Sequence, residues 1–106
     1  MTISPSPLSY TQQRQFDELF LESVRQKEAE HIDAQFELLN AALQINPLAD
    51  EALYEMGVLK LSYTTYSATL RRLQGDSLLR KAVQFAPDNP YYNATLATYR
   101  ANSAKY

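Results

Sequence analysis

Asp50-Glu51-Ala52-Leu53-Tyr54-Glu55-Met56-Gly57, followed after a gap by Gly75-Asp76-Ser77-Leu78-Leu79-Arg80-Lys81-Ala82-Val83-Gln84-Phe85-Ala86-Pro87, is the stretch that decides the fold. Leu53, Met56 and Gly57 recur at steps of three and one and share one helical face. Gly75, Leu79, Ala82, Val83 and Ala86 share one face of a second helix. A glycine inside a helix costs about 1 kcal/mol relative to alanine, so two of them require a packing reason. Close backbone approach between antiparallel helices supplies it. Gly57, Gly75 and Ala82 are therefore the expected contact points of a helical hairpin.

Working outward, the Pro47 to Pro87 interval marks a repeat. The spacing of its residues resembles the tetratricopeptide repeat, a two-helix unit of about 34 residues. Leu53, Met56-Gly57, Gly75, Leu79, Ala82 and Pro87 fall, in that order, where the family has its bulky, Leu-Gly, small, large, Ala and Pro positions. The junction Asn46-Pro47-Leu48-Ala49-Asp50-Glu51-Ala52-Leu53-Tyr54 matches the family's Asn-Pro-x-x-x-Glu-Ala-Leu-Tyr. An earlier, degenerate repeat over about 14–47 places Ser23 at the Gly position, Gln35 at the small one, and Leu39, Ala42 and Pro47 in register. Leu96-Ala97 then stands where a third unit has Leu-Gly.

Five helices follow. Ser9 with Gln12 three residues on has the form of a capping box and starts the first, which ends near Glu30. The second spans about Ile32 to Ile45, stopped by Asn46-Pro47 because the residue before Pro avoids the α region. The turn between them lacks the Gly that the family often has there. The third helix starts near Asp50 and runs at least to Leu61. Pro47 and Pro87 are 40 residues apart, and the excess over the usual period is expected near 62–69, a run rich in hydroxylic and β-branched residues. The fourth helix spans about Ala68 to Ala86. Asn89 as N-cap before Pro90 starts the fifth, Tyr91 to about Ala104. Residues 1–8, with Pro5 and Pro7, read as a flexible arm. The domain is thus 9–106: repeat 1 about 14–47, repeat 2 about 50–87, and a half repeat or capping helix about 90–104. The expected fold is all-α, a right-handed superhelix of about two and a half tetratricopeptide-like hairpins.

The remaining composition narrows the function. A net charge of −2 leaves no broad basic face, so no nucleic-acid partner is expected. No apolar run approaches the ~20 residues that cross a bilayer, so no membrane insertion is expected. There is no cysteine, hence no disulfide or thiolate chemistry. His31 is the single histidine and reads as a solvated turn residue; no metal and no cofactor are expected. No Gly-rich phosphate loop is present. Asp50-Glu51 sit where a helix N-terminus favours carboxylates. Arg71-Arg72 and Arg80-Lys81 read as a solvated face, with an anion or acidic-partner contact as the alternative. The chain is expected to be non-enzymatic. If Met1 is the native start, a cytoplasmic location is the default; if a signal segment has been removed, the cell envelope or an exported location follows.

The tyrosines carry the functional expectation. There are 8, and Tyr54, Tyr63, Tyr66, Tyr91, Tyr92 and Tyr99 gather in the later half. A rigid ring buries large area at low entropic cost. The resemblance implies that the first helix of each repeat lines a concave groove, through Phe20, Leu21 and Val24, then Tyr54, Glu55 and Val58, then Ala94, Thr95 and Thr98. Packing between helices is the competing role for Tyr54 and Tyr99. The Lys, Asn and Arg types with which some members clamp a C-terminal carboxylate are missing at the matched positions. The resemblance, to a bacterial repeat protein or its N-terminal part, therefore implies a protein-interaction module taking a peptide or helix in an apolar, Tyr-containing groove. The alternative is a structural, self-assembling element, in which the unpaired fifth helix leaves a face open for a second copy.

Overall fold

The computed structural model describes residues 8–62 and 68–103. It is all-helical across them, with five helices in the order α1 (Tyr10–Glu28), α2 (Ile32–Ile45), α3 (Asp50–Ser62), α4 (Ala68–Phe85) and α5 (Pro90–Ser103). No strand occurs among the described residues. The expected arm, and most of the expected insertion near 62–69, lie outside them.

Each helix begins and ends for a local reason. The Ser9 hydroxyl accepts from the Gln12 backbone N–H at 3.1 Å, and the Gln12 side chain accepts from the Ser9 N–H at 3.0 Å, which completes the capping box. Helix α1 stops at Glu28, two residues before the expected end. The Glu30 N–H donates to the Lys27 carbonyl and the His31 N–H to the Gln26 carbonyl, the reciprocal pair that closes a helix through a left-handed residue. Glu30 occupies that position at φ 61°. The turn that lacks glycine thus keeps the usual glycine geometry and places a glutamate in it.

The two later corners are copies of each other. Ala49 N–H bonds the Asn46 carbonyl, and 40 residues on Asn89 N–H bonds that of Ala86. Asn46 N–H bonds Ala42, as Ala86 N–H bonds Ala82. Leu53 N–H bonds Ala49, as Asn93 N–H bonds Asn89. The Asn89 side chain caps α5 by accepting from the Tyr91 and Tyr92 N–H groups at 2.9 and 3.2 Å, with Pro90 in the first helical position. The internal repeat is therefore present in the backbone as well as in the side chains.

The helices form hairpins stacked side by side. A Cβ on Gly57 would lie 3.1 Å from the Leu79 Cγ and 3.3 Å from the Gly75 carbonyl oxygen, and one on Gly75 would collide with Leu61. These contacts run 57 to 79 and 61 to 75, so α3 and α4 are antiparallel. Asp50 meets Tyr92 and Tyr54 meets Thr95, so α3 and α5 run parallel. Gly57, Gly75 and Ala82 are all buried at the helix contact. The first hairpin uses Ser23 and Gln35 at the corresponding places. Both are buried, and the Ser23 hydroxyl donates to the Phe20 carbonyl at 2.6 Å.

One buried cluster joins Phe16, Leu39 and Ala42 to Ala49, Ala52, Met56 and Leu59. A second joins Leu53, Tyr54, Leu79, Ala82, Tyr92 and Leu96. Leu43 and Leu78 pack against both, which makes the core continuous along the stack. Ala97 departs from expectation: it is exposed, because no described helix lies beyond α5 to press on it. Pro47 and Pro87 are also exposed, since they shape corners rather than fill the core.

Candidate functional site

The parallel placement of α3 and α5 opens a groove of about 420 Å³ between them. Its walls are Tyr54 and Val58 from α3 and Tyr91, Ala94, Thr95, Thr98 and Tyr99 from α5. On α5, Tyr91, Thr95 and Tyr99 stand four residues apart, hence one above another on one helical face. None of the lining residues is charged.

A tyrosine cluster forms the floor and one end. Tyr54 is 8% exposed and stacks on Tyr92 at 4.7 Å between centroids, with Tyr91 tilted against it at 5.4 Å. The Tyr54 and Thr95 hydroxyls share a hydrogen bond of 3.0 Å. Burial pushes the Tyr54 phenol up to about 12. The Tyr92 hydroxyl donates to Asp50 Oδ2 at 2.8 Å. Burial, and then the bond to that carboxylate, hold the Tyr92 phenol well above its ordinary range. Both phenols are therefore neutral at physiological pH. Tyr91 is 67% exposed and offers its ring to solvent.

Charges near the groove are held by partners within the chain. Glu55 accepts from Lys27 Nζ at 3.0 Å, tying α1 to α3. Asp76 accepts from Arg100 Nε at 2.9 Å and pairs with Arg80 at 3.0 Å, tying α4 to α5. What the groove presents is aromatic surface and hydroxyls.

Of the residues expected to line a groove, Tyr54, Val58, Ala94, Thr95 and Thr98 come together here. Phe20, Leu21 and Val24 do not join them. Phe20 is half-buried, stacks on Phe16 at 6.0 Å and packs against the first core cluster. Leu21 is 51% exposed on α1 and Val24 is half-buried there. Glu55 is occupied by Lys27. Tyr54 fills the inter-helix packing role as well as a wall of the groove, and Tyr99 is half-buried at the far end. Tyr91 and Tyr99 are the lining residues absent from the expected set; their four-residue steps to Thr95 are the signal that points to them.

His31 is exposed, with Nδ1 2.8 Å from the Gln26 side-chain oxygen. No group of three or more His, Asp or Glu among the described residues could hold a metal ion. No described helix is long and apolar enough to cross a membrane. No protein-family model matches this chain, and no curated protein or solved structure matches it either.

Proposed function

We propose that this chain is a non-enzymatic protein-interaction module of tetratricopeptide type, and that it binds a peptide or helix in the groove between α3 and α5. The observation that carries the reading is the groove's chemistry: three tyrosines and two threonines around an uncharged trough of about 420 Å³. Rigid amphipathic rings suit recognition because they lose little conformational freedom on binding. The absence of a charged lining residue argues against a carboxylate or phosphate ligand and for an apolar stretch of polypeptide.

Peptide display against the full chain, followed by titration of the enriched peptides, tests this. Ala94→Glu and Thr98→Glu place a charge in the groove at exposed positions that belong to neither core cluster. Loss of binding of tenfold or more in both variants, with unchanged far-UV circular dichroism, supports the reading. Enriched peptides that bind both variants as well as wild type would remove the groove as the site.

A further inference from the structure

The two ends of the stack differ in charge and in shape. Residues 1–49 hold seven acids against three bases, and residues 50–106 hold five acids against seven bases. On the outer side of the first hairpin, a cleft of about 390 Å³ lies between α1 and α2. Leu19, Leu38 and Ile45 floor it, and Gln15, Glu18 and Glu22 edge it. It faces away from the rest of the chain: α1 meets α3 through Lys27, and Glu18 lies two and a half turns from Lys27, on the opposite side of the helix.

At the other end, α5 has no helix beyond it among the described residues. Ala94, Ala97 and Ala101 are exposed on it. The one charged residue of α5, Arg100, turns back to Asp76. Beside α5, helix α4 carries Arg72 and Arg80 one turn before and after Asp76, and Leu73 is 65% exposed. This edge is small-sided, apolar and flanked by bases. The opposite end is an apolar cleft flanked by acids.

We propose that a second copy of this chain docks head to tail, the α5 edge of one copy entering the α1–α2 cleft of the next. The geometry extends what the chain already does internally, where α3 packs on the first hairpin and the two cores run together through Leu43 and Leu78. Charge complementarity orients the junction. The pairs Arg14–Glu18 and Glu22–Arg25 at the cleft are exposed, so rearranging them costs little, and half-buried Asp76 is shared by Arg80 and Arg100, which leaves this edge with an excess of bases. A heterologous contact leaves a free end on each side, so association is open-ended rather than a closed pair.

Sedimentation velocity on the full chain over a range of concentrations tests this. The expected result is a mean mass that rises past two protomers with concentration and falls back toward one when salt is raised. Glu18→Lys/Glu22→Lys sets bases against the basic edge, and Ala97→Glu/Ala101→Glu sets acids against the acidic cleft. Each alone stays monomeric. Their mixture regains two productive junctions, the unaltered edge of the first variant on the unaltered cleft of the second and the two altered surfaces on each other, so it forms alternating assemblies that grow past a 1:1 pair. A wild-type mass fixed at one protomer, as when another segment covers the cleft, overturns the proposal. So does a plateau at two, which marks a two-fold dimer. A mixture that stays monomeric, with both variants folded by circular dichroism, overturns it as well.

Discussion

Leu61 occupies the space in which a side chain on Gly75 would begin: a Cβ there would lie 2.7 Å from the Leu61 Cδ2. Alanine at 75 recovers about 1 kcal/mol of helix propensity, while overpacking costs 1–3 kcal/mol, so Gly75→Ala is expected to be destabilising on balance. Leu61→Ala should soften that cost, and a double-mutant cycle in urea should show the two changes to be strongly non-additive. Strict additivity would mean that the backbones are not held at this distance.

Leu79 is fully buried between Gly57 and the second core cluster, and Ala82 is fully buried three residues on. Leu79→Ala should cost about 2–5 kcal/mol through lost contacts and a cavity. Ala82→Leu should cost about 1–3 kcal/mol by forcing the helices apart. Denaturation midpoints that barely move in both variants would contradict the assigned interface.

Glu30 pays for the α1–α2 turn with a left-handed backbone at φ 61°. Its side chain is exposed, so nothing in the core is lost with it. Glu30→Gly should raise stability by roughly 0.5–1 kcal/mol, and Glu30→Val should lower it, as measured by chemical denaturation. The reverse order would show that the turn relaxes easily to another geometry.

Tyr92 and Tyr54 set the alkaline limit of the fold. A phenol whose folded pKa is raised stabilises the native state below its unfolded value of 10.0, and that contribution is lost as pH rises through the folded value. Stability should therefore fall steeply above about pH 10. Tyr92→Phe lacks the bond to Asp50 and should be less stable by about 1 kcal/mol at neutral pH, yet fall less steeply in alkali. Parallel profiles for the two proteins would exclude Tyr92 as the titrating group.

Much of this architecture is legible in the sequence because it rests on short-range chemistry. Ser9 and Gln12 state a helix start, Asn46-Pro47 states a stop, and Gly57 with Gly75 states a close approach. All three report local geometry or a steric limit. What was not legible depends on how the helices pack on one another. Phe20 stacks on Phe16, one turn away on α1, and packs against the first core cluster. The placement of α5 beside α3 brings Tyr91 and Tyr99 to the groove with Val58. The Glu30 turn escaped because no glycine announces it, although the chain bends there as though one were present. Five of the seven lining residues were readable for a simpler reason: Tyr54, Val58, Ala94, Thr95 and Thr98 hold equivalent places on parallel helices.

Among the described residues, helix α5 has no hairpin partner of its own. Its hold on the body includes Tyr92, Leu96 and Tyr99 against the second core cluster, the Tyr92–Asp50 and Tyr54–Thr95 bonds, and the Arg100–Asp76 bridge. A structure stabilised only by nearest neighbours loosens from its least-supported end. Amide protons of α5 should therefore exchange with deuterium sooner than those of α3, and the wall carrying Tyr91 and Tyr99 would peel away before the rest of the molecule melts.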